Sequence, residues 1–386
     1  MGTIKKLLLI LPLVFLLCFV YYCRKKAQVE KIIEDGVEVV INHLEPYKID
    51  GEFLKFTLTE ELIIDTERNE VAATGLTDMA HFDVDSEGSI YCLNDTSNKD
   101  FIFKFDKNGK FITSFGTKGQ GPGELNRSYH LELNHQSQIV VTDYLARKLL
   151  FYDKQGDFIK TIAVNFMPIS AHPLSNGKYL VWYQITGDGT DEYVIQTPLS
   201  LRNSSLEEIK ELDRYKLPNY RVTGKRRGTD PLFSWAISKR YIFIGNEIRN
   251  GEIWVFDLEG NLVRKIKKPY NPVSVPEEYK KERLNGIKFQ AMKDATYFPE
   301  SFPPFQGIFA DDTDRLYVMT FEKDADTGEY IFDLFNSDGF YVGRSTIDAM
   351  FRNGIVVAKV IENHLYCVSE KDSGYKKLVV YKMRWE

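Results

Sequence analysis

A hairpin that recurs along the chain constrains its fold more tightly than any other feature. Residues 101–124 read FIFKFDKNGKFITSFGTKGQGPGE. Phe101, Phe103 and Phe105 alternate with Ile102 and Lys104, a period of two that sets three rings on one face of a strand. The stretch Asp106-Lys107-Asn108-Gly109 turns the chain, because Gly and Asn reach positive φ at little cost and Asp can bond the backbone of its own turn. Phe111, Thr113 and Phe115 then form the returning strand. Copies follow as FYDKQGDFIKTI from Phe151, VFDLEGNLVRKI from Val255 and LFNSDGFYVGRS from Leu334. Their turn glycines, Gly109, Gly156, Gly260 and Gly339, are spaced by 47, 104 and 79 residues. The spacing of 104 is two units of 52, so a degenerate copy is expected between them, with Asn203-Ser204 as its turn. The spacing of 79 is one unit plus an insertion.

Ahead of each hairpin lies a second recurring piece, a polar turn followed by a β-branched or aromatic strand. It is seen at Asp83 (DVDSEGSIYCLND), Leu133, Leu174, Ile237, Ala310 and Val360. Each unit therefore carries four strands, and repeats of roughly 40–50 residues with four strands each are the mark of a β-propeller blade. The expected fold is all-β, a six-bladed β-propeller of four-stranded blades over residues 53–386. The strand-like run at 377–385 has no hairpin partner after it, and an unpaired edge invites aggregation. Residues 53–64 (FLKFTLTEELII) are expected to supply the missing strand and close the ring. Residues 269–305, in the fifth unit, read as a helical insertion, with Ser274 as cap, Pro276 in the first turn and Gly286 as a break.

The N-terminal 26 residues differ in kind. Lys5 and Lys6 precede an uncharged run from Leu7 to Cys23, and Arg24, Lys25 and Lys26 follow it. Residues 1–26 read as a signal or anchor segment and 27–52 as a linker with an edge strand at 37–42. Cys23 is a candidate for lipidation, although the large Tyr22 before it is unlike a lipoprotein cleavage site; an uncleaved anchor is the other reading. The expected location is outside the cytoplasm, in a periplasm or cell envelope, membrane-associated. A formal charge of -5 over 386 residues, with no basic stripe, argues against nucleic acid as a partner. Cys92 and Cys367 read as small buried hydrophobes. Their pairing would need the first and last units to be neighbours, which a closed ring permits and spacing cannot establish.

The stretch FDKNGKFITSFGTKGQGPGELNRSYHLELNHQSQIVVTDYLARKLLFYDKQGDF resembles the NHL-type repeat, and GxGPGE after a hairpin resembles the six-bladed propeller proteins of Bacteroides and related bacteria. That resemblance implies an exported or lipid-anchored protein, with binding platforms in the wider group and a few peptidyl-amidating lyases. His81 and His130 fall at matching places on the innermost strands of neighbouring units, with His172 near the same level in the third. Three histidines from three blades resemble the zinc arrangement of the amidating lyases, which implies Zn under an enzymatic reading. The plainer reading is hydrogen-bonded strand histidines and no cofactor.

Other candidates are weaker. Gly116, Gly119, Gly121 and Gly123 lack the following helix that a phosphate loop needs, and read as a joint between blades. Asp83, Asp85, Asp95, Asp311, Asp312 and Asp314 lack calcium-loop spacing and read as turn residues. Lys225, Arg226 and Arg227, with Tyr297, Phe298 and Phe302 of the insertion, form a candidate binding surface. No nucleophile with a supporting base is recognisable. The leading expectation is a monomeric, non-enzymatic propeller that binds a protein, peptide or glycan. The alternative is a metal-dependent lyase or hydrolase with its site in the central channel.

Overall fold

The computed structural model describes residues 30–49, 55–96, 99–187, 190–349, 351–352 and 355–386. The signal or anchor segment and the lipidation candidate Cys23 lie outside them. Six four-stranded antiparallel units form the ring. The first blade is built from His81–Val84, Ile90–Leu93, Asp100–Phe105 and Phe111–Thr117, and the second from Ser128–Leu133, Ile139–Asp143, Lys148–Tyr152 and Phe158–Ala163. The third comprises Met167–Pro173, Tyr179–Thr186, Tyr193–Arg202 and Glu208–Pro218; the fourth, Phe233–Ile237, Tyr241–Asn246, Ile253–Asp257 and Leu262–Lys267. Gly307–Ala310, Leu316–Lys323, Tyr330–Phe335 and Tyr341–Ile347 make the fifth. The sixth takes Ala358–Ile361, His364–Glu370 and Lys376–Trp385 from the end of the chain and Phe56–Asp65 from its start. Phe56–Asp65 runs antiparallel to Lys376–Trp385, from Phe56 opposite Trp385 to Asp65 opposite Lys377.

The hairpin turns follow from their first residue. Asp106 Oδ1 accepts the N–H groups of Asn108 and Lys110, each at 2.9 Å, and Asp153, Asn203, Asp257 and Asn336 do the same in their own blades. A short side chain thus replaces the ladder where the strands part. The turn glycine then presses on the preceding blade. Gly156, at φ 95°, would bring a Cβ within 2.6 Å of the Phe115 ring of the first blade.

The core is divided to match. One apolar cluster joins Tyr91, Phe101 and Ile102 of the first blade to Leu131, Val141 and Leu150 of the second, and five more fill the remaining interfaces between neighbours. Among the described residues each blade packs a face against each of its neighbours, and the innermost strands are left to line a channel.

Residues 30–41 are more than a linker with one edge strand. Glu30–Glu34 and Val37–Ile41 form a hairpin, and Val37–Ile41 runs parallel to Leu262–Lys267, extending the fourth blade to six strands. Asn42 then staples the fourth blade to the fifth: its amide donates to the Lys267 and Gly339 carbonyls, and its side-chain oxygen accepts the Tyr341 N–H at 2.7 Å.

Between Lys267 and Gly307 lie the helices Glu277–Asn285 and Gln290–Asp294. The first is preceded by Pro276 at its N-cap, so Ser274 does not cap it; Ser274 bridges Ser301 instead. Proline offers no capping side chain, and Glu277 and Glu278 supply the negative charge favoured in the first turn.

A candidate metal and ligand site in the channel

Side chains two apart on a strand share a face. On the innermost strands this rule sets His81 with Asp83, His130 with Glu132, and Ser170 with His172. The ring then brings the three histidines into a row. His81 and His130 have ring centroids 4.4 Å apart, and His130 and His172 4.2 Å apart. Trp235, from the fourth innermost strand, donates its indole N–H to His172 Nε2 at 3.2 Å. Indole is a donor only, so Nε2 carries the lone pair, and the proton on Nδ1 is donated to Glu132 Oε2 at 3.0 Å. Ser170 Oγ also lies 3.0 Å from Nε2.

Lys359, on the innermost strand of the sixth blade, bridges the carboxylates. Its Nζ lies 2.8 Å from Asp83 Oδ1 and 2.7 Å from Glu132 Oε1. Asp83 Oδ2 accepts the Leu133 N–H at 2.7 Å, tying the first blade to the second. Burial alone would lift the Glu132 carboxyl, but the Lys359 ammonium and His172 hold it well below the usual carboxylate range. Burial pushes Asp83 up, with Lys359 partly offsetting it. Burial disfavours the charged Lys359 as well, and Asp83 and Glu132 outweigh it, so the lysine titrates above its ordinary value.

His81 and His130 are held neutral. Burial, reinforced by Lys359, brings His81 down to about 3, and burial with the neighbouring imidazoles holds His130 well below its ordinary value. His130 is 1% exposed, and among the described residues neither of its ring nitrogens has a hydrogen-bond partner; His81 Nδ1 is in the same position. Leaving a buried polar atom unsatisfied costs about 1–3 kcal/mol.

A cavity of about 360 Å³ opens beside this row, lined among others by His81, Asp83, Glu132, His172, Trp235 and Lys359. Its wall includes Lys239 and Asp312, in the turns that end the fourth and fifth innermost strands. The helical insertion joins the start of the fifth innermost strand, so it stands at the opposite end of the channel from those turns. A second cavity, of about 420 Å³, lies against the insertion between Pro231, Tyr279, Phe302, Phe321 and Tyr330.

The other sequence candidates are placed as follows. Arg226 and Arg227 pair with Thr296 and Tyr297 in a short parallel bridge, which brings the basic loop and the aromatic segment together. Arg227 is committed to Glu247 at 2.5 Å and to Thr229, whereas Lys225 and Tyr297 are exposed. Phe298 packs over Gly228, and Phe302 stacks on Phe321 at 4.3 Å. The glycine-rich loop carries its own anion: the Gly121 N–H donates to Glu124 Oε2 at 2.7 Å. Asp85 and Asp311 are turn residues, each also accepting a tyrosine O–H from its own blade. Asp83 is not a turn residue but part of the channel. Sequence reasoning passed over Glu132, Trp235 and Lys359. For Glu132 and Asp83 the signal was available, since each stands two residues after a histidine already singled out.

A family model described as a 6-bladed beta-propeller matches residues 83–227. The fold is also that of an exported-protein structure from Bacteroides fragilis, so described, at 12% identity and TM-score 0.52, covering 90% of this chain and 99% of that one. A member of a family of unknown function from Bacteroides vulgatus matches at 12% identity and TM-score 0.52, with 87% and 100% covered. A catalytically inactive variant of virginiamycin B lyase from Staphylococcus aureus, solved with quinupristin, matches at 12% identity and TM-score 0.43, with 84% and 99% covered. No curated protein matches by sequence. The chain is a six-bladed β-propeller.

Proposed function

We propose that this chain is an exported binding propeller, held at a membrane outside the cytoplasm, that takes a small polar ligand at one end of its channel. The reading rests on the channel cavity, where Asp83, Glu132, Lys359, His172 and the Trp235 ring converge on about 360 Å³. That space suits a di- or tripeptide or one or two sugar units, and pockets with a few convergent polar groups are the usual ligand sites. Two carboxylates and an ammonium offer both signs of charge, as a zwitterionic peptide requires. Export is supported by the Leu7–Cys23 run and by the description of the Bacteroides fragilis structure. Among the described residues no helix is long and apolar enough to cross a membrane. Membrane attachment, through an anchor or a lipid on Cys23, belongs to this proposal, as does the NHL character of the repeats.

The test is a thermal-shift screen of the detergent-solubilised full chain against di- and tripeptides and mono- and disaccharides. At least one class should raise the melting temperature, and Glu132→Gln should remove the rise. A panel with no Glu132-dependent shift would overturn the reading. A second reading, a metal-dependent lyase or hydrolase using His81, His130 and His172, is favoured by one observation: the three imidazoles stand in contact, in series.

A further inference from the structure

We infer that His130, Glu132 and His172, rather than the three histidines, form a site for one divalent metal ion of the zinc class. The inference rests on the channel being a binding site, as proposed above, and names what the protein itself holds there.

The donor atoms have the right separation. Glu132 Oε2 lies 3.0 Å from His172 Nδ1 and 3.8 Å from His130 Nε2, and one ligand atom from each residue falls within 4.8 Å of the other two. A tetrahedral ion with bonds of about 2.0–2.2 Å holds its donors roughly 3.4 Å apart. The spacings bracket that edge, and His81 is not in the set.

Each residue is also chemically prepared. His130 is buried and unpartnered at both nitrogens, so a ring nitrogen is open to a metal. Glu132 has its other oxygen held by Lys359, which fixes the carboxylate with Oε2 toward the imidazoles. His172 can ligate through Nδ1 if its proton moves to Nε2, where Ser170 Oγ, 3.0 Å away, accepts it and the Trp235 indole N–H gives up its bond to that nitrogen. Such hydrogen bonds to the far nitrogen of a ligating imidazole set its tautomer and orientation. Asp83, Glu132 and Lys359 together carry one net negative charge when all are ionised, so a divalent ion is not repelled. Two imidazoles and one carboxylate, with no thiolate, favour zinc, cobalt or nickel over calcium or magnesium. Three protein ligands leave a fourth position, and the cavity lined by Glu132 and His172 lies beside it.

The test uses the full chain in detergent, stripped with a chelator and titrated with Co²⁺ alone. The expected result is a visible absorption band of tetrahedral type that saturates at one equivalent and is displaced by Zn²⁺. Glu132→Gln and His130→Phe, the second keeping a ring of similar volume, should weaken Co²⁺ binding at least 100-fold. His81→Ala should bind as the parent does. Circular dichroism of each variant confirms the fold before it is scored. No band above that of buffer, a band that survives in folded Glu132→Gln or His130→Phe, or loss in folded His81→Ala would overturn the inference. The ligand screen run with chelator present reads the peptide or sugar site separately, so either proposal can fail alone.

Discussion

Lys359 decides the electrostatics of the channel. Its ammonium is the shared counter-ion of Asp83 and Glu132, both buried or nearly so. Lys359→Met leaves two carboxylates facing each other without it. Breaking a buried ion pair from one side costs roughly 3 kcal/mol or more, so the urea midpoint should fall by a matching amount, and Asp83→Asn in the same chain should restore part of it. Acid sensitivity follows from the histidines. His81 falls from an ordinary 6.5 to about 3 on folding, and His130 moves the same way. Between those values the unfolded chain binds protons that the folded chain refuses, so stability drops as pH falls from about 6.5 toward 3. Glu132, lowered on folding, adds to the loss at the acid end, while Asp83, raised on folding, opposes it. Denaturation midpoints at pH 7 and pH 4.5 should therefore differ, and the difference should shrink in a His81→Asn, His130→Asn double variant. An unchanged difference would place the acid sensitivity elsewhere. Asp83 and Glu132 were legible beside their histidines through the period of two. Lys359 was not, because only ring closure brings the sixth innermost strand against the first and second.

At the scale of the element, the strand Phe56–Asp65 carries more than its own pairing. It is the outer strand of the last blade and the place where the two ends of the chain meet. Ile64 is fully enclosed in the cluster between the sixth and first blades, and Leu62 and Ile64 lie under the Gly109 turn. Ile64→Asp puts an unpaired charge into that cluster. The expected cost is about 4 kcal/mol, from lost apolar burial and an unsatisfied carboxylate together. Limited proteolysis should then cut first near this strand, whereas Thr57→Asp, on the exposed outer edge, should leave the pattern unchanged. The alternating pattern of residues 53–64 made the strand recognisable. The hairpin Glu30–Ile41 was only half recognised. Its outer strand, EKIIE, is exposed over most of its length and so lacks the alternation that burial of one face imposes.

For the whole molecule, the distribution of the core among six interfaces fixes what each buried residue meets. Cys92 lies in the cluster between the sixth and first blades, and Cys367 in the cluster between the fifth and sixth. Their blades are neighbours, yet the thiols occupy opposite faces of the sixth blade's surroundings, and both cysteines are free. Burial pushes both thiols above their ordinary range. In the folded chain neither should take up iodoacetamide, and both should react fully in guanidinium, as read by peptide mass spectrometry. Modification of either before unfolding would show that its blade interface opens.

By itself the sequence determined the number of blades, the turns of the recurring hairpins and the strand that closes the ring. Those depend on local rules: a period of two in apolar residues, a turn-forming Asp or Asn, and a glycine at positive φ. The tertiary structure alone decided which face of each innermost strand looks into the channel and which side chains meet across it. His130 finds Glu132 on its own strand, but His172, Trp235 and Lys359 arrive from three other blades. Their distances are set by the closure of six packed interfaces, a long-range condition that no local pattern records.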